Sequence, residues 1–201
     1  MISTQGTGTV NGSPDTVSIV LGVETRAADA STALTDNAER AAALIETIKA
    51  RGVREQDIVT TNLSVQPEYQ PGGRIGGYTV TNQVTATLRD VARSGDLIDA
   101  AAGAAGDAIR VQHLTFSIAD DSALRAQARD RAVAQAERQA QQIADAAGAE
   151  LGAVQSIVET PEITAMPFPQ ARSLADSATS TPIEAGSQEL SVSVSVTYRI
   201  T

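Results

Sequence analysis

Leu190-Ser191-Val192-Ser193-Val194-Ser195-Val196-Thr197-Tyr198-Arg199-Ile200 alternates without a break, its six even positions apolar and the odd positions between them hydroxylic or charged. Side chains of a strand point to opposite faces in turn, so this stretch predicts a strand with one dry and one wet face. A second run repeats the pattern, with Tyr78, Val80, Val84, Ala86 and Leu88 on one face and Thr79, Thr81, Gln83, Thr85 and Thr87 on the other. Together they predict a sheet covered on one side only. The rest of the chain must supply the cover.

Upstream, residues 4–12 (Thr-Gln-Gly-Thr-Gly-Thr-Val-Asn-Gly), then Ser13-Pro14-Asp15 and the alternating Val17, Ile19, Leu21 and Val23, read as strand, turn, strand, an opening hairpin. From Asp29 to Arg51 the apolar positions Leu34, Ala38, Ala41, Ile45 and Ile48 recur at helical spacing. Asp29 or Ser31 can cap that helix, and Gly52 stands where one commonly stops. Strand pattern resumes over 57–66 and 78–88, joined by a glycine-rich tip that contains Pro71-Gly72-Gly73 and Gly76-Gly77. A shorter helix follows Asp90, carrying Val91, Leu97, Ile98, Ala101 and Ala105, and leads to a strand over 109–118. A third helix begins near Asp121 or Ser122 with a stripe of Ala126, Val133, Ala136, Ala140, Ile143 and Ala147, stops at Gly148, and is followed by a strand over 154–158.

Helix, glycine stop and strand thus recur three times. Helix–strand crossovers call for parallel relations and hairpins for antiparallel ones, so the expectation is α+β: a mixed, largely antiparallel sheet with about three helices on one face. The chain reads as a single domain over 1–201, and its pattern leaves open one continuous layer or two lobes hinged near 88–93. Residues 161–188 break the pattern with Pro161, Pro167, Pro169 and Pro182 in a Ser, Ala and Thr background. Long irregular segments of this kind are functional or disordered. Met166 and Phe168 are its apolar points and candidate anchors to a neighbouring subunit.

Composition narrows the function classes. A net charge of −9 and a pI near 4.6 argue against general nucleic-acid binding and against electrostatic docking on anionic lipid. There are no cysteines, which excludes disulfides and thiolate sites. No apolar run approaches the roughly 20 residues that span a bilayer, and Met1-Ile-Ser-Thr-Gln lacks the apolar core of a secretory signal. The 35 alanines favour tight layers, because small side chains let a helix approach its neighbour closely.

Chemistry finds little purchase in the residues. The single histidine, His113, lies in a predicted strand between Gln112 and Leu114 with no acid in local register. Asp120-Asp121 sits at a helix start, where capping explains it. Gly6-Thr7-Gly8 and the 72–77 glycines lack the Gly-Lys-Ser/Thr ending of a phosphate loop and read as hairpin tips. No Gly-x-Ser-x-Gly elbow occurs, and five Phe and Tyr residues in all are too few for a base-stacking platform. The expectation is a protein with no catalytic residue, metal or cofactor.

Several pieces taken in order resemble the SIMPL-domain family. They are Gly6-Thr7-Gly8-Thr9-Val10 before Pro14-Asp15; Gly52-Val53 with Asp57-Ile58 and Thr60; Pro67-x-Tyr69 with Gly77-Tyr78 and Asn82; Ala128-Arg129, Ala132, Ala136, Ala140 and Ala144 leading to Ala147-Gly148 and Leu151-Gly152; and the Val192 to Tyr198 strand. Each alone is a turn, cap or strand signature, and the specificity lies in their sequence and spacing.

The resemblance implies an extracytoplasmic protein of the bacterial cell envelope or periplasm, an α+β subunit that builds large ring-like or channel-like homo-oligomers, and no established catalytic residue. Lipoprotein members of the family attach through an N-terminal cysteine. This chain has none, so membrane attachment through a lipid would belong to a residue trimmed away ahead of Met1.

Two functional readings follow. In the first the chain is a non-enzymatic envelope protein whose partner is itself, with Met166 and Phe168 at the contact. In the second it is a monomeric or dimeric binding module that holds a small ligand or protein beside the 67–78 hairpin, where Tyr69, Arg74 and Tyr78 offer stacking and a cation.

Overall fold

The computed structural model describes residues 1–160, 166–168 and 181–201 of the chain, with side chains left undescribed over 166–168. The strands are β1 (Ile2–Gly12), β2 (Thr16–Ala27), β3 (Ile58–Tyr69), β4 (Ile75–Leu88), β5 (Ile109–Ser117), β6 (Leu151–Thr160), β7 (Met166–Phe168) and β8 (Ser187–Ile200). The helices are α1 (Ala30–Ala50), α2 (Ser94–Ala105) and α3 (Ser122–Ala147). The chain folds into two compact units: one holds residues 1–14, 118–172 and 186–201, the other 15–117 and 173–185. The stretch 88–93 lies inside the second unit, where it leads from β4 into α2.

In the second unit the sheet order is β3-β4-β2-β5, every pairing antiparallel. Two strands that flank one partner antiparallel are parallel to each other, so β2 and β3, joined through α1, run parallel with β4 between them. β4 and β5, joined through α2, run parallel with β2 between them. This is a βαββαβ arrangement of two split crossovers. The helix–strand succession does produce parallel relations, but an antiparallel strand is inserted into each, β4 into the first and β2 into the second, and no parallel pair is made.

The core of this unit is Val17, Ile19, Leu21 and Val23 of β2 with Val84, Ala86 and Leu88 of β4, covered by Leu44 and Ile48 of α1 and Leu97 and Ala101 of α2. Asp29 caps α1 by accepting the Thr32 N–H at 2.9 Å. The buried stripe of α1 is Ala33, Asn37, Ala41, Leu44 and Ile48, one position off the expected Leu34 and Ala38. The reason is polar: Asn37, 1% exposed, donates its Nδ2 to the Val23 and Val80 carbonyls, each at 3.1 Å. That anchor turns Leu34 to the flank of the helix, 40% exposed.

In the first unit the order is β1-β8-β6, again antiparallel throughout, with β7 pairing the start of β8. β1 and β6 are therefore parallel with β8 between them, a third split crossover that closes over α3. The opening hairpin expected from the sequence is absent: β1 pairs with β8, and residues 13–15 lead from one unit into the other.

Gly6 and Gly8 are not a hairpin tip but lie mid-strand in β1. A Cβ on Gly6 would run into the Ala132 carbonyl oxygen, and one on Gly8 into that of Ala128. The α3 backbone thus rests on the strand, and its buried stripe is the all-alanine Ala128, Ala132, Ala136, Ala140, Ala144. The larger Val133 and Ile143, expected in that stripe, are displaced to the flanks, with Ile143 48% exposed. Thr4, also buried, donates its hydroxyl to the Ala136 carbonyl at 2.8 Å. On the face away from α3, hydroxyls of facing residues pair across strands, Ser3 with Thr197 and Thr7 with the buried Ser193, each at 3.0 Å.

Candidate interaction surfaces

Among the described residues each sheet ends in two outer strands, and they are finished differently. On β1 the middle of the edge is occupied by the helix above it: the Thr7 N–H donates to Gln135 Oε1 at 2.5 Å, and Arg131 Nη1 donates to the Thr9 carbonyl at 2.6 Å. Backbone groups that would template another strand are thereby occupied. On β5 the edge carries the exposed Arg110, Gln112 and His113, the polar decoration that discourages pairing.

The other two edges lack such protection. β3 has no charged residue from Ile58 to Gln66, and β6 none from Leu151 to Val158. Charge gathers at the ends of β3 instead. Asp57 accepts from Arg54 at 2.7 Å and from Arg89 at 3.3 Å, and Glu68 pairs with Arg26 at 3.0 Å. The Arg54 hydrogen bond, helped by Arg89, holds the Asp57 carboxyl below the usual carboxylate range. At the far end of β6, Glu159 takes a bidentate grip from Arg129 of α3 at 2.7 and 3.0 Å, which lowers its carboxyl likewise.

Cover fails at the same two strands. α1 lies over β2 and β4 and barely reaches β3, while α3 lies over β1 and β8 and barely reaches β6. Register places Leu63 opposite Asn82 and Val65 opposite Val80, on the helix side of the sheet. These two side chains are 59% and 40% exposed. On β6, Val154 faces Tyr198 and Ile157 faces Val196, on the side of α3, and they are 49% and 52% exposed. Val59 and Val158 are apolar and exposed on the opposite faces. Arg40 of α1 donates to the Ala105 carbonyl at the end of α2, so the opposite flank of α1, with Leu34, is turned toward β3. Each unit therefore has an apolar ledge beside an unprotected strand edge, which is where strands of other chains add.

The residues singled out from the sequence are distributed as follows. Tyr69, Arg74 and Tyr78 share the β3–β4 hairpin. Its tip is closed by Gln70 N–H to the Arg74 carbonyl at 2.8 Å and Gly73 N–H to the Gln70 carbonyl at 3.0 Å. Tyr69 and Arg74 are exposed and Tyr78 is half-buried opposite Pro67. Met166 and Phe168 form the ends of β7, whose backbone pairs with Glu189 and Ser187, and their side chains lie outside the described residues. His113 sits on β5 opposite Val20. The exposed apolar pattern of β3 and β6 has no signal in the sequence, because alternation shows which residues share a face and not which strand ends the sheet.

Two clefts accompany these surfaces. One, of about 360 Å³, is lined by Glu24, Thr25, Arg26, Asp36, Arg40, Asp107, Ala108 and Arg110. Within it Glu24 holds Arg110 at 3.1 Å and Arg26 at 3.4 Å. The other, of about 320 Å³, is lined in part by Thr7, Thr9, Arg131 and Gln135, which are engaged in closing the β1 edge. Among the described residues no group of three or more His, Cys, Asp or Glu is placed to hold a metal ion, and no helix is long and apolar enough to cross a membrane.

Comparison with known proteins gives a match over residues 2–198 to the family model SIMPL, described as a protein of unknown function (DUF541). The chain is 32% identical to a 26 kDa periplasmic immunogenic protein of Brucella melitensis over 219 residues, 99% of this chain and 84% of that protein. It is 33% identical to the uncharacterized protein YggE of Escherichia coli over 159 residues, 78% of this chain and 64% of that protein.

Proposed function

The chain belongs to the SIMPL family, and from that premise we propose that it is a non-enzymatic, extracytoplasmic protein of the cell envelope that assembles with copies of itself. The observation that carries the assembly is the pair of open edges, β3 and β6: uncharged over 58–66 and 151–158, bearing exposed apolar side chains on both faces, and left uncovered by helices that cover the neighbouring strands. A protein working as a monomer in water would be expected to guard them as it guards β1. The location is supported by the periplasmic Brucella relative, and the non-enzymatic reading by relatives named only as immunogenic or uncharacterized. Lipid attachment and a contact through Met166 and Phe168 belong to the same proposal.

Sedimentation of the intact chain from low to high concentration tests it. A discrete species several times the 20.7 kDa of one chain is expected, and a monomer at every concentration would refute the assembly.

A second reading, a module for a small ligand, draws support from the charged cleft, where Arg40 keeps guanidinium N–H groups beyond the one given to Ala105. Titration calorimetry with small anions and zwitterions against wild type and Arg40→Ala tests this reading, and heat unchanged by the substitution would count against it.

A further inference from the structure

Resting on the self-assembly reading, we infer that the contact joins unlike edges, β3 of one copy to β6 of the next. Each copy carries one open edge of each kind. A two-fold pairing of β3 with β3 leaves both β6 edges in water, and a pairing of β6 with β6 leaves both β3 edges there. Only an unlike pairing consumes one of each at every contact, and it does so with one repeated, head-to-tail interface.

The chemistry of the two edges suits this. Neither run carries a free charge, since Glu159, the first acid on β6, is already neutralised by Arg129. Strands of about ten residues at about 3.3 Å per residue give a seam about 33 Å long. With the ledge residues Leu63, Val65, Val154 and Ile157 packed along it, the seam buries on the order of 1,000 Å², the lower bound for a specific interface. Main-chain hydrogen bonds would supply direction, and the ledges the apolar area.

The experiment uses two full-length variants, Val59→Lys with Leu63→Lys to block β3, and Val154→Lys with Ile157→Lys to block β6. Their masses are read by light scattering, separately and mixed, beside wild type. All four positions are about half exposed, so the fold should survive, as checked by circular dichroism. The single substitutions Leu63→Lys and Ile157→Lys, which keep one charge on each edge, replace the pairs if it does not. The unlike seam predicts that each variant alone is a 20.7 kDa monomer and that the mixture forms a pair and stops there, because one supplies an intact β6 and the other an intact β3.

Dimers of either variant alone, unchanged on mixing, would overturn the inference in favour of like edges. A mixture that stays monomeric, or variants as large as wild type, would overturn it outright. A monomeric wild type would instead remove the assembly reading on which it rests.

Discussion

Gly8 of β1 lies directly beneath Ala128 of α3, so close that a Cβ on the glycine would collide with the alanine's carbonyl oxygen. Because the obstacle is backbone, no rotamer change relieves it. Gly8→Ala should therefore cost about 2–3 kcal/mol or more of stability, the scale of overpacking in a filled core. Gly103, in the exposed interior of α2, meets nothing within 4 Å, and Gly103→Ala should stabilise by about 0.5–1 kcal/mol. Urea denaturation of the two variants checks both signs.

Asn37 ties α1 to two strands at once, through the Val23 and Val80 carbonyls. Asn37→Ala removes both bonds and leaves space where a buried side chain stood. A loss of about 1–3 kcal/mol is expected. Asn37→Leu should not restore stability, since the apolar side chain leaves those carbonyls without its donors. Thermal unfolding of the two variants beside wild type is the measurement.

Glu159 titrates below the ordinary carboxylate range because Arg129 hydrogen-bonds to its ionised form. A folded pKa below the unfolded one means that the pair stabilises at neutral pH, above the unfolded value. That contribution is lost as pH falls through the folded value. Glu159→Gln should accordingly lower the thermal midpoint slightly at neutral pH and flatten its decline toward acid. High salt should shrink the difference, because the pair is exposed. Midpoints measured from neutral to acid pH, at low and high salt, check this.

Much of the fold was legible because it is local. The β8 and β4 alternations gave their dry faces correctly, and the three glycine stops, Gly52, Gly106 at the end of α2, and Gly148, have φ of 95°, 55° and 67°. What escaped was set by partners distant in sequence. Gly6 and Gly8 resemble turn residues until α3, more than a hundred residues later, is laid on them. The α1 stripe was misplaced because Asn37 looks like a surface residue unless the two carbonyls it serves are known.

Alternation also does not say which strand a face pairs with, so two antiparallel sheets read as one mixed sheet. The candidate surfaces were hidden for the same reason. Val154, Ile157, Leu63 and Val65 look like core residues in a sequence, and only the sheet order and the reach of the helices leave them in water.

Amide hydrogen exchange, strand by strand, at assembling and at dilute concentrations tests the central claim most directly. In the assembled protein, β3 and β6 should exchange as slowly as the interior strand β8, and dilution should quicken them while β8 stays slow. Fast exchange along β3 and β6 at every concentration, as on any solvent-facing edge, would contradict the account.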